Sequence, residues 1–170
     1  MSDFPPAKRP ATPAEIRALA HPLRLRIIRL CLDEALTNRE IAQRLRAEPA
    51  TVLYHVRTLR RNGFLVAQPE RRGKRGAREI PYLSTRKSIT LDLGLAPGVD
   101  AAMLEATRDE LIEAGPESVL TMSRLGIRLP PDRIGEFEAR LESLVRDYAA
   151  AEDPTGEPVA MLVLLHRRPQ

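Results

Sequence analysis

Apolar positions recur at helical spacing through the first third of the chain, and breakers set the boundaries between the periodic segments. From Pro13 the face formed by Ile16, Leu19 and Ala20 predicts a helix that His21-Pro22 ends, because a residue before proline avoids the α region. Pro22 then suits the first turn of a second helix, with Leu23, Ile27, Leu30 and Cys31 inward and Arg24, Arg26 and Arg29 outward. Thr37-Asn-Arg-Glu40 has capping-box spacing and opens a third helix whose buried stripe is Ile41, Ala42 and Leu45. After a short break at Arg46-Ala-Glu48, Pro49 starts a fourth helix. Its inner face is Val52, Val56 and Leu59, and Asn62-Gly63 stops it.

The period then changes. Phe64-Leu-Val-Ala-Gln68 reads as a short strand, residues 69–77 as a Gly- and Arg-rich loop, and Arg78-Glu-Ile-Pro-Tyr-Leu83 as the return strand of a hairpin. Pro81 places that return strand at an edge, since proline cannot donate to a ladder. Gly94-Leu-Ala-Pro-Gly-Val99 reads as part of a linker. Beyond it the pattern predicts a helix over Val99–Ala114, a strand over Ser118–Leu129, a long helix over Pro131–Ala151 and a last apolar strand over Val159–Leu165. The long helix carries Ile134, Phe137, Leu141, Leu144, Val145 and Tyr148 as one stripe, close to a heptad seam. The fold class is therefore α+β: a winged helix-turn-helix of four helices and a β-hairpin wing, then a small α+β region. The expected boundaries are a disordered lead-in at 1–12, a DNA-binding domain at 13–88, a linker at 89–98, and a dimerisation or effector-binding region at 99–170.

Charge sharpens the picture. Residues 1–88 hold 19 Lys/Arg against 8 Asp/Glu, whereas residues 89–170 hold 8 against 15. A net of +11 beside −7 fits one half that faces a polyanion and one with another task. No stretch approaches the roughly 18 apolar residues of a membrane span. Residues 1–9 lack the apolar run of a signal peptide, and a single cysteine excludes an internal disulfide, so the expectation is a cytoplasmic protein without a membrane. There is no Gly-rich phosphate loop, no nucleophile elbow, and no His/Asp/Cys cluster at useful spacing. Hence no catalytic residue, metal ligand or cofactor is expected, and the chain does not read as an enzyme. Cys31, on an inward helical face, reads as a structural thiol.

Helices in this order, followed by a basic hairpin, have a mechanical reading. A recognition helix enters the major groove, and the helix before it sets its N-terminus against phosphate. With Val52, Val56 and Leu59 inward, Ala50, Thr51, Tyr54, Arg57 and Arg61 face outward as base or phosphate contacts. Thr37 and Asn38 are phosphate candidates at the start of the third helix. His55 either packs or touches phosphate. In the wing, Arg71, Arg72, Lys74, Arg75 and Arg78 can neutralise several phosphates.

Three runs carry a resemblance. They are Ala18–Leu30 (ALAHPLRLRIIRL), Thr37–Leu45 (TNREIAQRL) and Pro49–Leu65 (PATVLYHVRTLRRNGFL). Residues 13–84 resemble the winged-helix ArsR (arsenical-resistance repressor) superfamily, in an actinobacterial-like branch where RRGKRGAREIPYL would be the wing. The resemblance implies a homodimer on a pseudo-palindromic operator, usually repressing transcription. It places Ala50, Thr51, Tyr54, His55 and Arg57 on the recognition helix, and Arg72–Arg78 on the wing. The Cys-x-Cys of metal-sensing members is missing from Asn38–Leu45. Two other readings stay open: a winged helix used for protein interaction, and a regulator whose C-terminal region senses a small-molecule or protein effector.

Overall fold

Thr12 and Thr37 each cap a helix in the same reciprocal way, and these two caps organise the N-terminal unit. In each, the hydroxyl accepts from the backbone N–H of a glutamate three residues on, and that glutamate's carboxylate accepts from the threonine N–H (Glu15 to Thr12 and Glu40 to Thr37, both 2.8 Å). The first cap goes unread in the sequence, although Thr12-Pro-Ala-Glu15 has the same spacing. In the computed structural model, which describes residues 8–73, 76–94, 96–153 and 155–168, the elements run β1 (Arg9–Pro10), α1 (Pro13–Leu19), α2 (Pro22–Leu30), β2 (Leu36–Thr37), α3 (Asn38–Arg44), α4 (Pro49–Arg61), β3 (Leu65–Ala67), β4 (Arg71–Arg72), β5 (Arg78–Glu79), β6 (Pro81–Ser84), β7 (Leu91–Asp92), α5 (Val99–Ala114) and α6 (Pro131–Ala150). The chain is α+β, with an N-terminal winged helix-turn-helix.

Residues 8–118 form one compact unit and residues 119–168 belong to another. The core of the first is aliphatic. Leu19, Ile27, Cys31, Leu36, Ile41, Val52, Val56, Leu59 and Phe64 are its largest fully buried side chains. Burying each contributes roughly 1.5–3 kcal/mol, so this cluster outweighs any surface ion pair in the unit. The predicted inner faces of α3 and α4 are all buried.

On α2 the structure corrects the expectation for two residues. Arg24 and Arg26 are buried, not outward. Arg24 donates through Nε to the Ala18 carbonyl (2.5 Å) and through Nη2 to the Arg17 carbonyl (2.6 Å), which closes the last turn of α1. Arg26 pairs with Asp109 (3.7 Å) and Glu113, and Arg29 with Glu110 (3.8 Å). The acidic face of α5 thus lies on α2, with Val99, Ala102 and Ala106 buried. α5 belongs to the same unit as the winged helix, whereas the sequence pattern groups 99–170 as one region. A helix-by-helix reading could not assign the arginines inward, because Arg24 is received by the end of the preceding helix and Arg26 by α5 partners some 80 residues away.

The sheets also depart from expectation. Arg9–Pro10, expected within a disordered lead-in, pairs in parallel with Leu91–Asp92, expected within a linker; residues 1–7 lie outside the described residues. Glu15 ties this seam together, since its carboxylate meets Arg9 (2.6 Å) and Lys87 (2.6 Å) and is held well below the usual carboxylate range by them and by Thr12. β6 is the centre of the order β2-β6-β3, so Pro81 is not on an edge strand. It is tolerated as the first residue of β6, where its carbonyl accepts from Gln68 N–H (2.9 Å) and no donor is required. The β4–β5 ribbon continues the hairpin beyond Glu70 as a separate tip.

In the C-terminal unit α6 forms over its predicted span, with Ile134, Phe137 and Leu141 half-buried and Leu144, Val145 and Tyr148 exposed. The two predicted strands do not form among the described residues. Pro116–Ser118 is a 3₁₀ turn, and residues 119–130 and 159–168 have no regular structure. A strand needs a ladder partner, and these segments form no ladder among the described residues. No helix of the described residues is long and apolar enough to cross a membrane.

The turn between α3 and α4 carries a local cost. Arg46 N–H bonds to the Gln43 carbonyl (3.3 Å) and Ala47 N–H to the Ala42 carbonyl (3.0 Å), the paired bonds of a Schellman ending. The residue in the left-handed position is Arg46, at φ 50°. The same motif closes α4 with glycine, Gly63 at φ 73°, under Phe64 N–H to Leu59 carbonyl (2.9 Å). A non-glycine residue there costs on the order of 1 kcal/mol. Arg46→Gly should therefore raise stability by about 0.5–1 kcal/mol, read as a higher urea midpoint at unchanged m. A lower midpoint would mean that the Arg46 side chain itself holds the turn.

Candidate nucleic-acid interface

Rotation of α4 about its axis decides which side chains can meet a ligand. Val52, Val56 and Leu59 are completely buried, so the opposite face is presented. Ala50, Thr51, Tyr54, Arg57 and Arg61 lie outward on it, Tyr54 at 65% exposure. Pro49 occupies the first helical position, and Glu48, the N-cap, makes no side-chain capping bond. The first-turn N–H groups of α4 therefore keep their donor capacity toward an incoming group.

Other predicted residues fall elsewhere. Thr37 is buried, its hydroxyl donating to Glu40 (3.0 Å) and accepting from Glu40 N–H (3.3 Å). Its hydroxyl serves the cap of α3. Asn38 is half-buried, and its Nδ2 donates to the Pro49 carbonyl (3.0 Å), which joins the start of α3 to the start of α4. His55 is only 5% exposed and does not lie on the outward face. Its ring packs on His21 (centroids 4.4 Å apart, 53° between planes) and meets the Tyr54 ring edge-on (5.2 Å). His55 is thus placed in packing contact with His21 and Tyr54.

In the wing, Arg71, Arg72 and Arg78 are exposed, and Lys74 and Arg75 lie outside the described residues. Arg71 pairs with Glu40 (2.5 Å) and Arg78 approaches Glu70 (3.7 Å). Arg39, Gln43 and Arg46, with Ala42, Ala47 and Pro49, line an open depression beside the α3–α4 turn. Sequence reasoning passes over this group. Its signal is present, because Arg39 and Gln43 are four apart on the face opposite Ile41 and Leu45.

Electrostatics separate the inert groups from the responsive ones. Complete burial pushes the Cys31 thiol up to about 12, so it stays protonated and unreactive at neutral pH, which fits a structural thiol. No group of three or more His, Cys, Asp or Glu among the described residues could hold a metal ion. His21 caps α2 by accepting from Leu23 N–H through Nδ1 (3.2 Å). Burial, then the charge of Arg24, lowers its pKa. Burial, then His21 and Arg24, pulls His55 down to about 4.

Residues 19–67 match the model of a helix-turn-helix domain. This stretch is a helix-turn-helix. The match spans the end of α1 through β3, including the α3–α4 turn and the whole of α4, but less than half of the chain. No curated protein sequence matches the chain. Among solved structures, the chain is similar to reduced HlyU from Vibrio cholerae at 25% identity, covering 45% of this chain and 75% of that one, with a TM-score of 0.38. It is similar to a cysteine-to-serine mutant of ZitR from Lactococcus lactis at 19% identity, covering 74% and 73%, with a TM-score of 0.35. A point mutant of MepR from S. aureus, solved bound to an oligodeoxyribonucleotide, is 16% identical over 77% of this chain and 78% of that one, with a TM-score of 0.34. The helix-turn-helix match stands on residues 19–67.

The buried histidine on the back of α4 gives a pH prediction. The unfolded chain binds a proton at His55 near pH 6.5 and the folded chain only near 4, so stability is full above 6.5 and falls as pH drops through that window. Between pH 7.5 and 5 the loss from this group should be roughly 1–2 kcal/mol. His55→Phe should flatten that part of the stability–pH curve in urea melts. An unchanged slope would assign the acid sensitivity to other groups.

Proposed function

We propose that this protein is a sequence-specific double-stranded DNA-binding transcription regulator of the ArsR type, acting as a repressor at a pseudo-palindromic operator. It works by binding and carries no catalytic residue, metal or cofactor in this reading. One observation carries it: within a matched helix-turn-helix, the fully buried Val52, Val56 and Leu59 turn Ala50, Thr51, Tyr54, Arg57 and Arg61 outward along one helix face. Thr51 lies in the first turn, and Tyr54 presents both a hydroxyl and a ring, which suits base edges and a thymine methyl. Arg57 and Arg61 lie further along the helix, at reach of guanine or phosphate. The exposed Arg72 and Arg78 of the wing, with Arg39 and Arg46 beside the α3–α4 turn, extend the basic surface on both sides of α4.

The regulator acts as a homodimer in this reading, joined through region 99–170. Two exposed apolar groups support association of copies there. One is Leu104, Leu111 and Ile112 on α5, and the other is Val159 to Leu165, whose apolar side chains are 40–73% exposed in the single chain. A two-fold pairing would give both recognition helices the spacing that a palindrome requires. Either apolar group is what an effector would occupy if the C-terminal region were a sensor.

Two experiments test these statements. Thr51→Ala and Tyr54→Ala should each cost roughly 1–3 kcal/mol on the operator selected from genomic fragments, and little on random duplex. Equal losses on both DNAs would make the two side chains backbone contacts. Leu162→Glu combined with Leu164→Glu should convert a dimer into a monomer in sedimentation at micromolar concentration. A dimer unaffected by that pair would move the interface to α5 or the N-terminal helices.

A further inference from the structure

The Glu40 carboxylate receives two groups at once. On one side it completes the α3 cap by accepting from the Thr37 amide (2.8 Å) and hydroxyl (3.0 Å). On the other, both of its oxygens lie 2.5 Å from one guanidinium nitrogen of Arg71, the first residue of β4. Thr37 in turn pairs with Pro81 in the β2–β6 ladder, and Arg71 pairs with Glu79 across the wing ribbon. A single carboxylate therefore joins the start of α3 to the tip of the wing, 31 residues away along the chain.

Both partners are half-exposed, with side-chain exposures of 44% for Arg71 and 40% for Glu40. An ion pair in that setting adds little to global stability. What it fixes is the placement of a two-by-two-residue ribbon with almost no core of its own, and two-stranded ribbons are marginal without such support. Arg72, the next residue, points to the other face of β4, is exposed, and makes no ion pair among the described residues. Adjacent arginines in one short strand thus meet opposite circumstances, one neutralised and one open.

We infer that Arg71 is a positioning residue of the wing and not a phosphate ligand. It stays on Glu40 when DNA is bound and sets the height of the wing over the groove, while Arg72 supplies the phosphate contact from β4. This rests on the DNA-binding reading given above. It divides the basic loop, which looks uniform in sequence, into a strut and a contact.

The test uses the full chain and a random-sequence duplex of about 30 base pairs, long enough to carry the several phosphate contacts of a wing, with affinity measured across a salt series. The comparison is between wild type, Arg72→Gln, and the charge-neutral double variant Glu40→Gln with Arg71→Gln. Glutamine keeps the capping bond that Glu40 makes to Thr37, so α3 should remain intact. The double variant should bind a few-fold more weakly at fixed salt but retain the wild-type slope of log affinity against log salt. Arg72→Gln should flatten the slope by about 0.9 per protomer, the amount for one phosphate contact. If the double variant flattens it by the same amount, Arg71 is a phosphate ligand and the inference is overturned. A second measurement needs no DNA: amide exchange at Gly73, whose N–H bonds to the Ala77 carbonyl at the ribbon tip (2.8 Å), should quicken in the double variant and not in Arg72→Gln. Unchanged exchange in the double variant would equally overturn the strut. Should wild type bind no duplex at all, the functional reading fails, and the exchange measurement still decides what Arg71 does.

Discussion

The burial of Val52, Val56 and Leu59 against α2 and α3 sets the rotation of α4, and the outward surface follows from that rotation. A helix has only one degree of freedom about its axis, and three buried side chains at spacings of four and three remove it. The Schellman endings at Arg46 and Gly63 then fix where α4 is entered and left. Asn38 fixes the distance between the starts of α3 and α4 through the Pro49 carbonyl. The polar face is held by apolar groups that never meet a ligand. Its side chains are free to vary in kind while their positions stay fixed.

Much of this is readable in the residues because it is local. A period of 3.6, a capping box and a glycine stop act within a turn or two of the chain, and the inner faces of α3 and α4 emerge as the spacing requires. What is not legible depends on partners in other elements. Arg24 and Arg26 look like a solvated face until α1 and α5 are in place to receive them. Pro81 looks like an edge residue until its position at the start of β6 shows that no donor is needed there. Residues 9–10 look unstructured because the strand they pair with lies some 80 residues on.

The candidate interface divides along the same line. Ala50, Thr51, Tyr54, Arg57 and Arg61 face the way their spacing dictates, because one helix decides their direction. Thr37 and His55 do not, since a hydroxyl at a cap and an imidazole beside a second imidazole are claimed by neighbours that the linear pattern does not display. The wing lies between the two cases. Its arginines are visible as a composition, but the carboxylate of Glu40 that meets Arg71 comes from a helix outside the loop.

The parallel pairing of Arg9 with Leu91 and Pro10 with Asp92 has an architectural result. The chain enters and leaves the winged helix at one seam, side by side and in the same direction, with Glu15 clasping that seam through Arg9 and Lys87. Everything between is in effect a closed ring, and the next helix, α5, packs back on it through Arg26 and Arg29 of α2. Such a ring behaves as a cassette. With α5 docked on it the cassette extends to Ser118, and a longer polypeptide can carry it without disturbing the orientation of α4.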